Sequence, residues 1–237
     1  MENAFKDPLG QAILDYSKNK KSANIIVHSD LCEDDVLPVE YLFRTYNQMP
    51  EIEQKALNLC KGRVLEVGAG TACHSKHLNS KGFNTLSIDT SKGAIDYINS
   101  QGLKSKQTPF LELRDEMFDT ILILMNGLGL AGYLKDLHLF LSHAKSLLSP
   151  NGIILADSSD IRYLYEDDEG GYWVDLNSKY PGEMQFKMEY NNHQSDWFSW
   201  VYVDFDTLSE ISKKAGLKAT KIMEDENFHY LVKLEHL

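Results

Sequence analysis

Cysteine is scarce in this 237-residue chain, and its three copies, Cys32, Cys60 and Cys73, are odd in number and form no CxxC pair. That pattern supports neither a disulfide framework nor a structural zinc site, and it fits a reducing cytoplasm. Positive charge is also short. Lys and Arg number 24 against 35 Asp and Glu, and the formal net charge of -11 opposes a broad footprint on nucleic acid. No apolar run suits a bilayer: the most apolar segment, ILILMNGLGLAG at 121–132, is far shorter than a spanning helix. The start, MENAFKDPLG, lacks the basic segment followed by an apolar one that marks a secretory signal. Internal repeats and low-complexity tracts are absent too. What remains is 43% apolar residues, enough to bury a sizeable core in one elaborated domain.

The chain opens with Asp7-Pro8, a cap and a first-turn proline, followed by Leu9, Ala12, Ile13 and Tyr16 at helical spacing. An apolar patch at 25–28, an acidic loop at 32–38 and two expected helices around 39–48 and 50–60 complete a preface. Strands and helices then alternate. VLEVG (64–68), NTLSID (84–89), a weak segment near 104–108, FDTILILM (118–125) and GIILADS (152–158) read as strands, with helical segments between them. The turn Ser149-Pro150-Asn151-Gly152 is expected to end the helix before the last of these. Such alternation predicts a parallel sheet covered on both faces. Residues 161–205 break the rhythm with dense aromatics and predict an inserted hairpin. Thr207-Leu208-Ser209-Glu210 has capping-box spacing and is expected to open a helix that Gly216 ends, before an antiparallel pair at 218–224 and 228–235.

The chemistry concentrates at Val64-Leu65-Glu66-Val67-Gly68-Ala69-Gly70. Two glycines let the chain turn sharply at a strand's end and let a ligand reach the main chain without meeting a Cβ. The following helix turns its unpaired N–H groups toward the same place. A dinucleotide-binding G-x-G-x-x-G loop would carry a third glycine where Cys73 stands, and the acid at 66 would repel a pyrophosphate. That acid suits an ammonium or sulfonium instead. Asp89, nineteen residues after Gly70 and at the end of the next strand, can accept from the two adjacent hydroxyls of a ribose.

In these features the sequence resembles the class I methyltransferases that use S-adenosylmethionine. The acid-x-G-x-G form is matched by Glu66-Val67-Gly68-Ala69-Gly70, and the acid ending the second strand by Asp89. The resemblance covers roughly residues 50–160 and, more loosely, the final antiparallel pair. It implies an α/β fold with a doubly wound, mostly parallel seven-stranded sheet, helices on both faces and an antiparallel last strand. Added to it are an N-terminal helical extension over 1–60 and, within the 61–237 domain, the inserted β-hairpin at about 161–205. The resemblance also implies site roles. Gly68, Ala69 and Gly70 would lie against the methionine part of the cofactor, Glu66 would orient that loop or the ammonium, and Asp89, with Thr90 beside it, would hold the ribose. Gln107 and Thr108 fall where the family often contacts adenine, though an acid is commoner at Gln107's place. Asn126 falls near the ammonium.

For the acceptor pocket the candidates are His28, Tyr41 and Arg44 from the preface and Tyr172, Trp173 and Trp197 from the insertion. Blander readings stand beside them: strand-end acids facing water, a surface ion pair for Arg44, a helix-end cover for His74, hairpin core for the aromatics, and a solvated loop for Glu166-Asp167-Asp168-Glu169. Asn126-Gly127-Leu128-Gly129 is not the Asn-Pro-Pro-aromatic pattern of amino-group methylases acting on bases or glutamine. Asp157-Ser158-Ser159 lacks the Asp-Asn pair that holds magnesium in catechol-type relatives, so no metal is expected. The reading is methyl transfer to a small-molecule acceptor by in-line displacement, with no catalytic residue assigned. A non-catalytic cofactor-binding sensor or partner subunit, and a nicotinamide oxidoreductase, are the alternatives.

Overall fold

A computed structural model of the chain describes residues 6–19, 24–165 and 179–237. The first elements are helix α1 (Pro8–Asn19), strands β1 (Asn24–Ser29) and β2 (Asp35–Pro38), and helix α2 (Glu51–Leu59). Next come β3 (Arg63–Val67), α3 (Cys73–Ser80), β4 (Asn84–Asp89), α4 (Lys92–Ser100), β5 (Ser105–Gln107), β6 (Phe118–Ile123), α5 (Leu134–Ser146) and β7 (Leu148–Ser159). The chain ends with β8 (Glu183–Tyr190), β9 (His193–Gln194), β10 (Phe198–Val201), α6 (Phe205–Lys214), β11 (Leu217–Glu224) and β12 (His229–His236).

Seven strands form the main sheet in the order β11-β12-β7-β6-β3-β4-β5, and only β12 runs against its neighbours. Its central strands are buried on both faces, so successive residues diverge into different cores. Leu65 and Ile121 pack with Phe140, Leu141 and Leu208 of α5 and α6. Val64 and Leu122 pack with Ile52, Ala56 and Leu57 of α2 and with Leu78 of α3. The winding reverses between β3 and β6: β4 and β5 add on one side, β6 and β7 on the other. A crevice opens at such a reversal, at the carboxyl ends of the strands.

The preface is less helical than expected. The IIVH patch forms β1, which pairs with β2 and, across more than 150 residues, with β8 of the insertion. With β10 and β9 these strands make a second, wholly antiparallel sheet in the order β10-β8-β1-β2, with β9 on β8. The helix expected around 39–48 is two short 3-10 turns, Val39–Phe43 and Tyr46–Gln48. Local periodicity could not reveal a partner strand so remote in the chain. Two smaller differences follow from side-chain caps and packing. Asp204, not Thr207, caps α6, its carboxylate accepting from the Thr207 main chain at 3.0 Å. The expected turn at 149–152 is absorbed into β7, whose pairing with β6 shifts register there. No helix among the described residues is long and apolar enough to cross a membrane.

Helix α1 is clamped to α4 beside the crevice. Asp7, just before α1, accepts from Gly10 N in its first turn at 2.8 Å, and from Ser91 Oγ at 2.9 Å and Gly93 N at 3.0 Å at the start of α4. The helices cross where both lack a side chain: a Cβ on Gly93 would stand 2.5 Å from the Gly10 main chain. Gly93→Ala is therefore expected to prise α1 from α4 and cost about 1–3 kcal/mol. Urea unfolding measures this, and an unchanged midpoint would refute the crossing.

Candidate active site

At the end of β3 the chain turns through three left-handed residues, Gly68 (φ +67°), Gly70 (φ +55°) and Ala72 (φ +55°). The loop is fastened to β4 through two of its main-chain N–H groups: Ala69 N donates to the Ile88 carbonyl at 3.0 Å, and Gly70 N donates to the Asp89 side-chain Oδ2 at 2.8 Å. A Cβ added to Gly70 would meet nothing within 4 Å. Open space therefore lies above a bare main chain, the cradle a close-lying ligand requires. The first turn of α3 follows with no side-chain cap on its N-terminus.

Glu66 does not face this space with a free carboxylate. It is 3% exposed, and its oxygens accept from His74 Nδ1 at 2.9 Å and from Ser75 N and Ser87 Oγ at 3.2 Å each. The other ring nitrogen of His74 donates to Glu53 at 2.8 Å. Glu53 in turn takes a bidentate fork from Arg44, with Nη2 2.7 Å from both oxygens and Nε at 3.1 Å. Arg44 Nη1 donates to Tyr41 O at 2.9 Å, and its guanidinium lies 4.3 Å from the Tyr41 ring centre. Arg44 is thus a buried ion pair, neither a surface one nor an unpaired cation. Thr71 Oγ1 adds a bond to the Leu42 carbonyl, so the loop and the preface are sewn together twice.

Burial works against a charged His74. The Cys73 sulfur and the bonds to Glu53 and Glu66 outweigh it and hold the imidazole pKa well above its ordinary value. For Glu53 burial again opposes charge, and the bonds from His74 and Arg44 win, leaving its pKa lowered. Asp89 is different. Burial pushes its pKa up, only partly offset by N–H bonds from Ser91, at 2.8 Å, and Gly70. A carboxylate held dry with acceptor capacity left over is what a pair of ribose hydroxyls would relieve.

Around Asp89 gather Thr90, Gln107 and Thr108: Thr108 N donates to Asp89 O at 3.0 Å, and Gln107 Nε2 to Thr90 O at 3.1 Å. Asn126 sits at φ +54° after β6, with its side-chain carbonyl accepting from Ser159 Oγ at 2.8 Å. The loop around it hangs on Asp157, fully buried at the end of β7, which accepts from Met125 N and Gly127 N at 3.1 Å each and from His229 Nε2 at 2.8 Å.

A cavity of about 720 Å³ occupies the crevice, within the range of small-molecule sites. Glu66, Gly68, Ala69, Gly70, Asn126 and Arg44 line its floor, and Val27, Leu37, Phe186, Phe198 and Trp200 of the second sheet face them. Asp89, Thr90, Gln107 and Thr108 are not in its wall and form a separate group joined to it through Gly70. His28, Tyr41 and Trp197 are not in the wall either. His28 lies between Asp34, at 2.9 Å, and Glu189, at 3.5 Å, while Trp197 is half exposed under Lys187. Tyr172, Trp173 and the acidic run at 166–169 lie outside the described residues. Sequence reasoning missed Glu53, Asp157 and His229. Asp157 was visible as an acid at a strand end, but nothing local marks the other two.

A family model for a methyltransferase domain matches residues 39–222, and the chain belongs to that family. A crystallised S-adenosylmethionine-dependent methyltransferase from Bacteroides fragilis, in complex with S-adenosylhomocysteine, is 40% identical over 98% of this chain and 96% of its own, with a TM-score of 0.92. This protein is accordingly an S-adenosylmethionine-dependent methyltransferase, and the open glycine cradle and Asp89 fit that cofactor. CcbJ of Streptomyces caelestis, at 13% identity over 79% of this chain and 90% of its own, shares the fold with a TM-score of 0.59. So does CalS10, an amino pentose methyltransferase from Micromonospora echinaspora, at 9% identity, coverage of 84% and 94%, and a TM-score of 0.58. No curated protein matches the sequence.

The charge chain sets a pH window. His74, raised above its ordinary 6.5, contributes stability fully below that value and loses it as pH rises through the folded pKa. Glu53, lowered from 4.5, contributes above that value and loses it as pH falls through its folded pKa. The urea midpoint should therefore peak between the two windows. Glu53→Gln, which strands Arg44, should cost about 3–5 kcal/mol there, and a loss below about 1 kcal/mol would refute the chain's role.

Proposed function

We propose that the cavity holds a small-molecule acceptor against the methyl end of the cofactor, and that the second sheet is its cover. The observation that carries this reading is the cavity's construction. A floor of bare main chain faces an aromatic and aliphatic roof built from the preface and the insertion, at a volume suited to one modest ligand beside the reacting end of the cofactor. A roof of Phe186, Phe198 and Trp200 supplies apolar contact to part of the acceptor. The net charge of -11 speaks against a nucleic-acid acceptor, no helix among the described residues is long and apolar enough to cross a membrane, and three free cysteines suit a cytoplasmic setting.

In this reading the residues divide their work. Gly68, Ala69 and Gly70 lie under the homocysteine end, Asp89 and Thr90 hold the ribose, and Gln107 and Thr108 stand beside the adenine. Asn126 and the main chain around it meet the ammonium. Arg44 has one Nη1 hydrogen beyond those given to Glu53 and Tyr41, free to donate to the cofactor carboxylate. When bound, the cofactor supplies an activated methyl group. The chain's own task is to align the acceptor with that methyl and exclude water.

Two measurements test this. Cell extract incubated with the protein and methyl-labelled S-adenosylmethionine should carry label in its low-molecular-weight fraction, and label confined to protein or nucleic acid would refute the small acceptor. By calorimetry, Asp89→Ala should weaken S-adenosylhomocysteine about 10–100-fold, the equivalent of one charge-assisted bond lost; an unchanged affinity would remove Asp89 from the ribose.

A further inference from the structure

We propose that His229, held by Asp157, is the general base that takes the proton of a hydroxyl-bearing acceptor. This inference rests on the acceptor lying in the cavity and goes beyond it by naming the acceptor's reacting group.

The geometry begins with Asp157. It is fully buried at the end of β7, and its three partners are two main-chain N–H groups and the imidazole of His229. A carboxylate among donors accepts, so His229 Nε2 carries the hydrogen and the other nitrogen, Nδ1, carries the lone pair in the neutral ring. His229 opens β12 opposite Ser159, and its side chain is 22% exposed in the cavity wall beside Asn126 and Ser159. The same carboxylate thus fixes the loop Met125–Gly127, beneath the cofactor's ammonium in the proposed placement, and aims an imidazole at the space next to it. A histidine oriented by a buried acid is the arrangement that proton abstraction requires.

Three acids face His229: Asp157 from β7, Asp225 from the turn before β12, with Oδ2 4.0 Å from Nδ1, and Glu53 from α2. Burial opposes the charged ring, and the bond to Asp157 followed by these charges overcomes it, so the pKa lies above the ordinary 6.5. A base so tuned is stronger than a free imidazole. An amine in its neutral form would need no such group. A hydroxyl does. Its oxygen gives a lone pair to the methyl carbon as the carbon–sulfur bond breaks, the bonding electrons stay on sulfur to leave a neutral thioether, and the O–H proton passes to His229 Nδ1.

The test needs no acceptor. Sinefungin carries an ammonium where S-adenosylmethionine carries its transferable methyl, and S-adenosylhomocysteine carries nothing there. Their affinity ratio, measured by calorimetry from pH 5.5 to 8.5, reads the group facing the methyl. In the wild-type protein sinefungin should gain on S-adenosylhomocysteine by about tenfold or more as His229 loses its proton, and in His229→Gln the ratio should be flat. Nitrogen-15 NMR of the wild-type imidazole gives a second readout that does not depend on a folded variant: the neutral ring should keep its proton on Nε2. A flat ratio in the wild type, a ratio in the variant that rises with pH as the wild type's does, or a neutral ring protonated on Nδ1 would overturn the proposal. Absence of S-adenosylhomocysteine binding would instead sink the placement of the cofactor, and the proposal with it.

Discussion

His74 gives one ring N–H to Glu66 at the end of β3 and the other to Glu53 on α2, at 2.9 and 2.8 Å, and each acid is only 3% exposed. Through Glu53 the chain of charges continues to Arg44, and through Glu66 to Ser75 and Ser87. Such a buried array adds little net stability over an apolar one of the same shape, because each charge must be stripped of water. Its effect is geometric. Its donors converge on two buried carboxylates, so the preface, the glycine loop and α3 have one mutual placement, and the cavity floor is fixed before any ligand arrives.

That fixed floor matters because the loop itself is held in an unfavourable conformation. Gly68 and Gly70 take positive φ freely, but Ala72 sits at φ +55°, a cost tolerated only where the surroundings over-determine it. Asp89 adds a second cost, since burial raises its pKa while Gly70 and Ser91 supply only part of the compensation. Both costs fall where a nucleoside would return them: main-chain contact for the loop, hydroxyl donors for the acid. Asp157 repeats the principle on the other side of the winding reversal, one carboxylate binding the loop after β6 and the imidazole of His229.

The core sheet was legible because its information is local. Apolar runs at 64–68 and 118–125, the glycines after β3 and the acid ending β4 each declare themselves within a few residues. The second sheet was not, since β1 finds its partner in β8, more than 150 residues away, and a four-residue apolar patch carries no sign of that pairing. The same limit governed the site. Glu66 was placed at the loop on sequence grounds, and orienting that loop was one of its two expected tasks. That both its oxygens are occupied from within depends on His74 and on Ser87, which only the folded chain brings together. Glu53 and His229 lie outside every motif, so their contribution emerges from packing alone.

The most direct test of the central claim is a crystal structure with S-adenosylhomocysteine bound. The ribose hydroxyls should meet Asp89 while Glu66 keeps its bonds to His74 and Ser75, unmoved by the ligand's amino group. A Glu66 carboxylate turned out to that amino group, leaving His74 with Glu53 alone, would contradict the account.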